Sequence, residues 1–248
     1  MNFHELHHQP QPLILGNVWD VPSAISAEET GFKALGTSSA AMAKMLGYPD
    51  GEKIPFTHVR LLTSRILAHV AVPVSVDLEA GYSRDPAVIT RHICDLAELG
   101  IVGINLEDSV VTDGRKLQVP EAFADLVAAV KAMIPPSVFL NIRTDTFLMG
   151  HPDKLTETIR RIQLYEDAGA DGVFVPGLVA PEDIVAVVGN TLLPLNLMCF
   201  PGLPTFTELA QLGVARISMG NFLHENQQAD LRQHLSQVIS DQSFQSVC

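Results

Sequence analysis

The chain has 248 residues, of which 47% are hydrophobic and 18% are charged, and its formal net charge at pH 7 is −12. This acidic balance, without any cluster of Lys or Arg, argues against nucleic acid as a partner, because nucleic-acid binding needs a concentrated basic surface. No apolar stretch approaches the roughly 20 residues that span a bilayer, and the N-terminus lacks a basic segment followed by an apolar run. We therefore expect a cytoplasmic protein with no membrane association.

Short apolar runs rich in β-formers alternate with helical patterns along the whole chain. Eight runs are nearly continuous in apolar residues, as expected for strands that helices cover. The predicted strands are 13–20, 32–38, 72–79, 102–107, 138–145, 172–176, 193–200 and 215–220. Predicted helices between them include 86–99, 120–133, 154–168, 181–188 and 205–212. Several of these begin with Pro or an acidic residue and end near Gly, which are the usual start and stop signals of helices.

Alternating strands and helices predict a parallel sheet, and eight repeats allow that sheet to close. The length is close to the about 250 residues of a typical (β/α)8 TIM barrel, so we predict one such domain spanning residues 1–248. An open, doubly wound sheet is the alternative, but no Gly-x-Gly-x-x-Gly motif follows the first predicted strand. The three cysteines, Cys94, Cys199 and Cys248, lack metal-type spacing and are interpreted as reduced thiols.

Charged side chains stand at the ends of three neighbouring predicted strands. They are Asp77 and Glu79, Glu107 and Asp108, and Arg143 and Asp145. Chemistry in a TIM barrel collects at the carboxyl ends of the strands, and residues two apart on a strand share a face, so Asp77 and Glu79 are predicted to point together. Carboxylates at this density suit a hard cation, Mg²⁺ or Mn²⁺. The structural alternative is an ion-pair layer at the barrel rim.

Seven ordered motifs together resemble the isocitrate lyase/phosphoenolpyruvate mutase superfamily. The motifs lie at 36–39 (GTSS), 46–51 (LGYPDG), 77–82 (DLEAGY), 103–108 (GINLED), 141–145 (NIRTD), 168–172 (AGADG) and 212–218 (LGVARIS). The resemblance extends over roughly residues 12–222 in the right order and at barrel spacing. It implies the barrel fold of this superfamily, a small carboxylate substrate and a homodimer or homotetramer. A predicted helix at 227–239 is available for contacts between subunits.

Residue by residue, the resemblance assigns the metal site. Asp77 is the implied direct ligand, and Glu79, Glu107 and Asp50 act mostly through metal-bound water. For Asp50, which stands in a Pro-Asp-Gly turn, the alternative is a solvated turn acid.

The resemblance also assigns substrate contacts. Ser38, Ser39 and Arg143 are implied to hold the substrate's carboxylate and oxo oxygens, and Asn196 is implied to contribute to carboxylate binding. Arg143 suits this task because its planar fork makes paired hydrogen bonds. For either serine, the alternative is turn or helix-capping duty. Tyr82 or water is the candidate proton source for an enolate.

The chain departs from the superfamily after the fourth predicted strand. Lyases of the superfamily carry a mobile Lys-X-Cys-Gly-His loop there, whereas residues 109–117 contain neither Cys nor His. The mutase and phosphonopyruvate hydrolase branches need a Lys and an Asn on a longer gating loop, which is also missing. Lys116 or Arg115 could substitute for that Lys, but both are interpreted as solvated turn cations. After the sixth strand, residues 174–177 (FVPG) replace a Glu or His of the relatives.

Two further groups of residues are assigned no chemistry. Cys199 is interpreted as a small core residue. His4, His7 and His8 have helical spacing, but we expect them to lie in a solvated N-terminal segment.

The functional hypothesis is a Mg²⁺-dependent carbon–carbon lyase that acts on a small 2-oxo acid or 2-hydroxy dicarboxylate through an enolate. Decarboxylation of an oxaloacetate-like substrate needs the fewest of the catalytic groups that this sequence lacks, because CO₂ leaves without a general base. Two alternatives stay open. One is carbon–phosphorus chemistry of the phosphonopyruvate or phosphoenolpyruvate type, and the other is a non-catalytic barrel that binds a 2-oxo acid.

Overall fold

The computed structural model describes residues 2–248 and contains a closed barrel of eight parallel strands. In chain order the strands are β1 (Leu13–Val18), β2 (Leu35–Thr37), β3 (Val74–Asp77), β4 (Gly103–Glu107), β5 (Ser109–Thr112), β6 (Gly114–Leu117), β7 (Phe139–Arg143), β8 (Gly172–Phe174), β9 (Leu195–Met198) and β10 (Arg216–Ser218). β5 and β6 form a separate antiparallel hairpin, and the other eight follow chain order around the barrel. β1 pairs with both β2 and β10, which closes the sheet.

The helices surround this sheet. They are α1 (Val21–Glu29), α2 (Ser39–Met45), α3 (Phe56–Leu67), α4 (Pro86–Ala97), α5 (Pro120–Lys131), α6 (Lys154–Asp167), α7 (Pro181–Val188), α8 (Phe206–Gln211) and α9 (Phe222–Asp241). Pro occupies the first turn of α4, α5 and α7, where its missing N–H costs no hydrogen bond. None of the helices in residues 2–248 combines the length and the apolar character needed to cross a membrane.

The predicted barrel is confirmed, and each of the eight predicted runs contains one of its strands. The strands are shorter than predicted because their polar ends leave the ladder for other tasks. Ser38, for example, follows β2 and caps α2, accepting a hydrogen bond from the Ala41 backbone N–H at 3.3 Å. The β5–β6 hairpin was not predicted, although Asp113-Gly114 between short β-prone runs is a recognised hairpin signal.

Alternation along the central strands sends apolar side chains outward and polar ones into the barrel. Val76, Ile104 and Ile142 are fully buried within the main apolar core, which includes residues of the surrounding helices. Inside the barrel, the Asn141 side-chain amide donates to Asn105 on β4 at 2.9 Å and to Asn196 on β9 at 3.2 Å. Because buried amides without partners are costly, this hydrogen-bonded layer forms a polar floor that supports the carboxyl end of the barrel.

The N-terminal segment does not lie in solvent as expected. Residues Glu5–His8 form a 3₁₀ helix, and the His7 ring is buried against the Phe139 ring, stacked with centroids 4.1 Å apart. The Phe3 ring packs edge-on to His7 at 4.9 Å. Burial, reinforced by the charge of Arg216, lowers the pKa of His7 to about 3. The expectation was wrong for His7 because this ring helps to cover the amino ends of the strands.

A neutral buried His7 makes stability depend on pH. Below about pH 6.5 the unfolded chain protonates this imidazole while the folded chain does not, so folded stability falls by about 1.4 kcal/mol per pH unit down to the folded pKa. We expect the free energy of unfolding of the wild type to fall by about 2 kcal/mol more than that of His7→Phe between pH 7 and pH 5, as measured by urea denaturation. His8→Phe, at an exposed position, is the control and should behave like the wild type. Equal losses in wild type and His7→Phe would contradict the assignment.

Candidate active site

A cavity of about 230 Å³ opens at the carboxyl ends of the barrel strands. Seven of the nine residues predicted for the site line it: Ser38, Ser39, Asp50, Asp77, Glu79, Glu107 and Arg143. Three of them are the last residues of β3, β4 and β7, and the other four lie in the segments that follow β2 and β3, so residues far apart in sequence share one space. Tyr82 and Asn196 are not among the lining residues.

Asp77 is the last residue of β3 and is held from two sides. The Ser39 hydroxyl donates to its Oδ2 at 2.6 Å, and the Asp77 backbone N–H donates to the Thr37 hydroxyl oxygen at 2.9 Å. Among the hydrogen bonds of residues 2–248, none reaches Oδ1. Ser39 therefore orients the carboxylate and leaves one oxygen available in the cavity.

Glu79 reaches the cavity from a turn and not from a strand. β3 ends at Asp77, and Glu79 has a φ of +49°, a conformation that non-glycine residues seldom adopt. The Tyr82 hydroxyl donates to one of its carboxylate oxygens at 2.7 Å, and the Glu52 backbone N–H donates to the other at 2.6 Å. Burial raises the pKa of Glu79 to about 8, with the Asp77 charge acting in the same direction. The two acids do line one cavity, but strand alternation is not the reason.

Glu107 lies between two guanidinium groups. Arg143 approaches one of its oxygens at 3.0 Å, and Arg115 donates to the other at 2.6 Å. The same two arginines bind Asp145, at 2.7 Å from Arg143 and 2.8 Å from Arg115. We call these four side chains the charge ring. Burial alone would raise the pKa of Asp145, but the two arginines and the Ser109 hydroxyl keep this pKa below its ordinary value. For Glu107, burial raises the pKa to about 7.

The interpretation of Arg115 as a solvated turn cation was wrong. Its side chain is only 23% exposed, lines the cavity and also lies 3.5 Å from Asp50. The unpredicted hairpin is the cause, because pairing of β5 with β6 turns Arg115 back over the barrel mouth. Asp50, interpreted alternatively as a solvated turn acid, is half exposed but is joined to the hairpin by this contact.

Asp108 and Asp145 are part of the structural support and do not line the cavity. Asp108 is fully buried and accepts hydrogen bonds from the Arg161 guanidinium at 2.9 Å and the Tyr165 hydroxyl at 2.8 Å, both on α6. The cluster of acids at the site is therefore smaller than the sequence predicted. For these two residues the structural alternative, a buried ion-pair layer, describes the contacts.

Tyr82 and Asn196 lie one layer away from the cavity lining. The Tyr82 hydroxyl is used to hold Glu79, and burial together with the Glu79 charge raises the pKa of Tyr82 far above its usual range. Asn196 is 1% exposed and belongs to the polar floor, where its amide donates to the Leu197 carbonyl at 2.6 Å. The structure thus places Tyr82 as a support for Glu79 and Asn196 beneath the cavity.

Some polar residues that line the cavity were not predicted from the sequence, although a sequence pattern marks each of them. Asn17 stands near the end of β1, and its side-chain oxygen accepts hydrogen bonds from the Met219 and Gly220 backbone N–H groups at 2.6 and 3.1 Å. Asn105, two residues before Glu107, also lines the cavity. Both are polar residues in an apolar strand, the same signal that marked Asp77.

The donor set fits a hard divalent cation. Asp77 offers a free carboxylate oxygen, whereas both oxygens of Glu79 and of Glu107 are already engaged by hydrogen bonds or ion pairs. Within residues 2–248, no three His, Cys, Asp or Glu side chains are grouped closely enough to coordinate an ion together. Mg²⁺ suits such a site because it binds proteins through one or two carboxylates and keeps several waters.

The fold and the cavity define a TIM-barrel protein with an acidic site and an arginine at the strand ends, and comparison with known proteins places the chain in a family. The model of the phosphoenolpyruvate phosphomutase family matches residues 3–239, so the chain belongs to that family, within the phosphoenolpyruvate mutase/isocitrate lyase superfamily. An uncharacterized protein of Mycobacterium tuberculosis is 41% identical over 221 residues, which cover 89% of this chain and 82% of the relative.

Relatives with described activities are more distant. The oxaloacetate decarboxylase of Pseudomonas fluorescens is 30% identical over 208 residues, covering 80% of this chain and 70% of that enzyme. A solved structure from Burkholderia cenocepacia, described as a presumed phosphonomutase, has a TM-score of 0.87 at 37% identity and covers 94% of this chain and 97% of that chain. A phosphonopyruvate hydrolase solved with oxalate and Mg²⁺ shares the fold, with a TM-score of 0.88 at 22% identity, over 100% of this chain and 90% of that one.

The variant Tyr82→Phe tests whether the hydrogen bond from the Tyr82 hydroxyl to Glu79 stabilises the protein. Removing the hydroxyl leaves a buried carboxyl oxygen without its donor, so we expect the free energy of unfolding to fall by about 1–3 kcal/mol in urea denaturation at pH 7. Tyr48→Phe is the matched control, because the Tyr48 hydroxyl makes no side-chain hydrogen bond within residues 2–248, and it should be nearly neutral. Equal stability of the two variants would show that the Tyr82–Glu79 contact contributes nothing.

Proposed function

We propose that this protein is a Mg²⁺-dependent carbon–carbon lyase that acts on a small 2-oxo acid or 2-hydroxy dicarboxylate through an enolate. The observation that carries the proposal is a single cavity lined by Asp77, with one free carboxylate oxygen, and by Arg143. The first group suits a metal ion and the second suits a substrate carboxylate. Membership of a family of lyases and mutases supports the same reaction class.

Each lining residue has a task that its contacts support. Asp77 would hold the metal directly, with Glu79, Glu107 and Asp50 acting through water. Mg²⁺, when bound, would supply Lewis-acid polarisation of the substrate's 2-oxo group. Arg143 is fixed by Glu107 and Asp145, yet each of its terminal nitrogens carries a second N–H that can bind a carboxylate. Ser38 and Ser39, at the start of α2, would complete the carboxylate site.

Decarboxylation is the reaction that this lining supports best. Among the lining residues there is no His, Cys, Lys or Tyr, so the lining has no counterpart of the lyases' catalytic Cys, and the carboxylates of Glu79 and Glu107 are engaged by the contacts described above. Loss of CO₂ from an oxaloacetate-like substrate needs no base, and water can protonate the enolate afterwards. The 30% identity to an oxaloacetate decarboxylase supports this choice. The absence of such a Cys favours one other candidate, a barrel that binds a 2-oxo acid without turnover.

A screen of 2-oxo and 2-hydroxy acids with and without Mg²⁺ tests the proposal. We expect release of pyruvate or CO₂ to require the ion and to fall by at least about a hundredfold in Asp77→Ala, because metal polarisation contributes several kcal/mol to such reactions. Asp113→Ala, in the exposed turn of the hairpin, is the matched control and should retain activity. Ligand binding by calorimetry without turnover would favour the binding-only barrel. Turnover that persists in Asp77→Ala would reject the assigned metal ligand.

A further inference from the structure

One half of the cavity is apolar, in contrast to the acidic half described above. Its side chains come from the ends of β8 and β9, the loop after β9 and the start of α9. They are Phe174, Met198, Phe200 and Phe222, and we call them the apolar wall. Phe174 of the wall begins the stretch 174–177, where the sequence departs from the superfamily by carrying no Glu or His.

The apolar wall is a packed surface. The Phe200 and Phe222 rings meet edge to face, with centroids 5.5 Å apart and planes at 80°. Met198 lies against Gly220, where a Cβ atom would come within 2.5 Å of the Met198 sulfur. The absence of a side chain at Gly220 therefore makes room for Met198 in the wall. Side chains fixed in this way present a defined apolar shape to a ligand.

The two halves of the cavity meet at Arg143. The central carbon of its guanidinium group lies 5.7 Å from the centroid of the Phe174 ring. Suppose that the carboxylate of a 2-oxo acid binds Arg143 and that its oxo group faces Asp77. The rest of the molecule, which begins at C3, then points away from the acidic half of the cavity. An apolar substituent at C3 gains free energy by leaving water at such a surface.

We propose that the substrate carries an alkyl group at C3, so that this enzyme decarboxylates 3-alkyl derivatives of oxaloacetate in preference to oxaloacetate itself. The inference rests on the proposed function and narrows its substrate class. In the reaction the C3–C4 bond of the parent breaks, its electron pair stays at C3 as the enolate, and C4 leaves as CO₂. The enolate then takes one proton from water at C3 and becomes the 3-alkyl 2-oxo acid.

Binding of the reaction products tests directly whether the cavity favours an alkyl group at C3. Calorimetry with MgCl₂ should show 2-oxopentanoate binding at least about tenfold more tightly than pyruvate, because it adds two methylene groups to the apolar wall. In Phe200→Asn this preference should fall to about twofold or less. Phe206→Asn is the matched control, because Phe206 is 53% exposed on α8 and does not line the cavity. It should keep the preference of the wild type.

A second variant and a kinetic measurement complete the test. Phe222→Asn removes another side chain of the apolar wall and should reduce the preference in the same way, so the test does not depend on one variant folding. The ratio of kcat/KM for 3-methyloxaloacetate to that for oxaloacetate should exceed one in the wild type and fall in both wall variants. A preference that survives in both variants, or its absence in the wild type, overturns the inference.

The proposed function and the inference can fail separately. Turnover of oxaloacetate that requires Mg²⁺ and Asp77, without any alkyl preference, would retain the lyase and reject the alkyl substrate. Tighter binding of 2-oxopentanoate that is lost in the wall variants, without turnover of either parent acid, would reject the lyase and retain the specificity of the cavity. Failure of every 2-oxo acid to bind would reject both.

Discussion

The site depends on the charge ring formed by Glu107, Arg143, Asp145 and Arg115. Two buried carboxylates are each bound by both guanidinium groups, at 2.6 to 3.0 Å. Removing one member of such a group leaves an uncompensated buried charge, which is far more costly than replacing the whole group by apolar residues. The ring joins β4, β7 and the β5–β6 hairpin, and so it ties the barrel mouth to the segment that covers it. Arg143 is thereby fixed in one orientation at the barrel mouth.

The acids that line the cavity beside the charge ring make different contacts. Of Asp77, Glu79 and Glu107, only Asp77 has a carboxylate oxygen without a partner within residues 2–248, because both oxygens of Glu79 and of Glu107 contact neighbouring groups. A site with one direct carboxylate and an outer layer of acids matches the preference of Mg²⁺ for retained waters. The strained turn at Glu79 belongs to this arrangement, because a left-handed residue brings its side chain to the cavity just beyond the end of β3.

The β5–β6 hairpin lies beside the mouth of the cavity and packs against the loop that carries Asp50. Gly51, in the loop that carries Asp50, lies so close to Val111 that a Cβ atom there would come within 2.5 Å of it. The Asp50–Arg115 contact lies at the same junction. Two short segments therefore pack together at the cavity mouth, and among the described residues the cavity lining offers ionic and apolar contacts but no Cys or His side chain.

The barrel and the family could be predicted because they follow from local patterns. Continuous apolar runs spaced by helical segments specify a closed parallel sheet, and polar residues at the ends of those runs mark Asp77, Glu107 and Arg143 as cavity residues, since parallel strands end at one face. His7 and Arg115 could not be interpreted correctly in this way. Each looks like a solvated surface residue in its own segment, and each is buried by partners more than 25 residues away or by a hairpin that folds back over the barrel.

The sequence by itself thus determined the fold class, the order of the strands and the residue types at their ends, because these depend on periodicity and on the chemistry of single side chains. Only the tertiary structure decided which acids keep a free oxygen, that Tyr82 and Asn196 support the cavity from behind, and that half of the cavity is apolar. Those properties depend on distances and burial between segments that are remote in sequence. Hydrogen bonds and desolvation act over a few ångströms, and it is the packed barrel that brings the segments within that range.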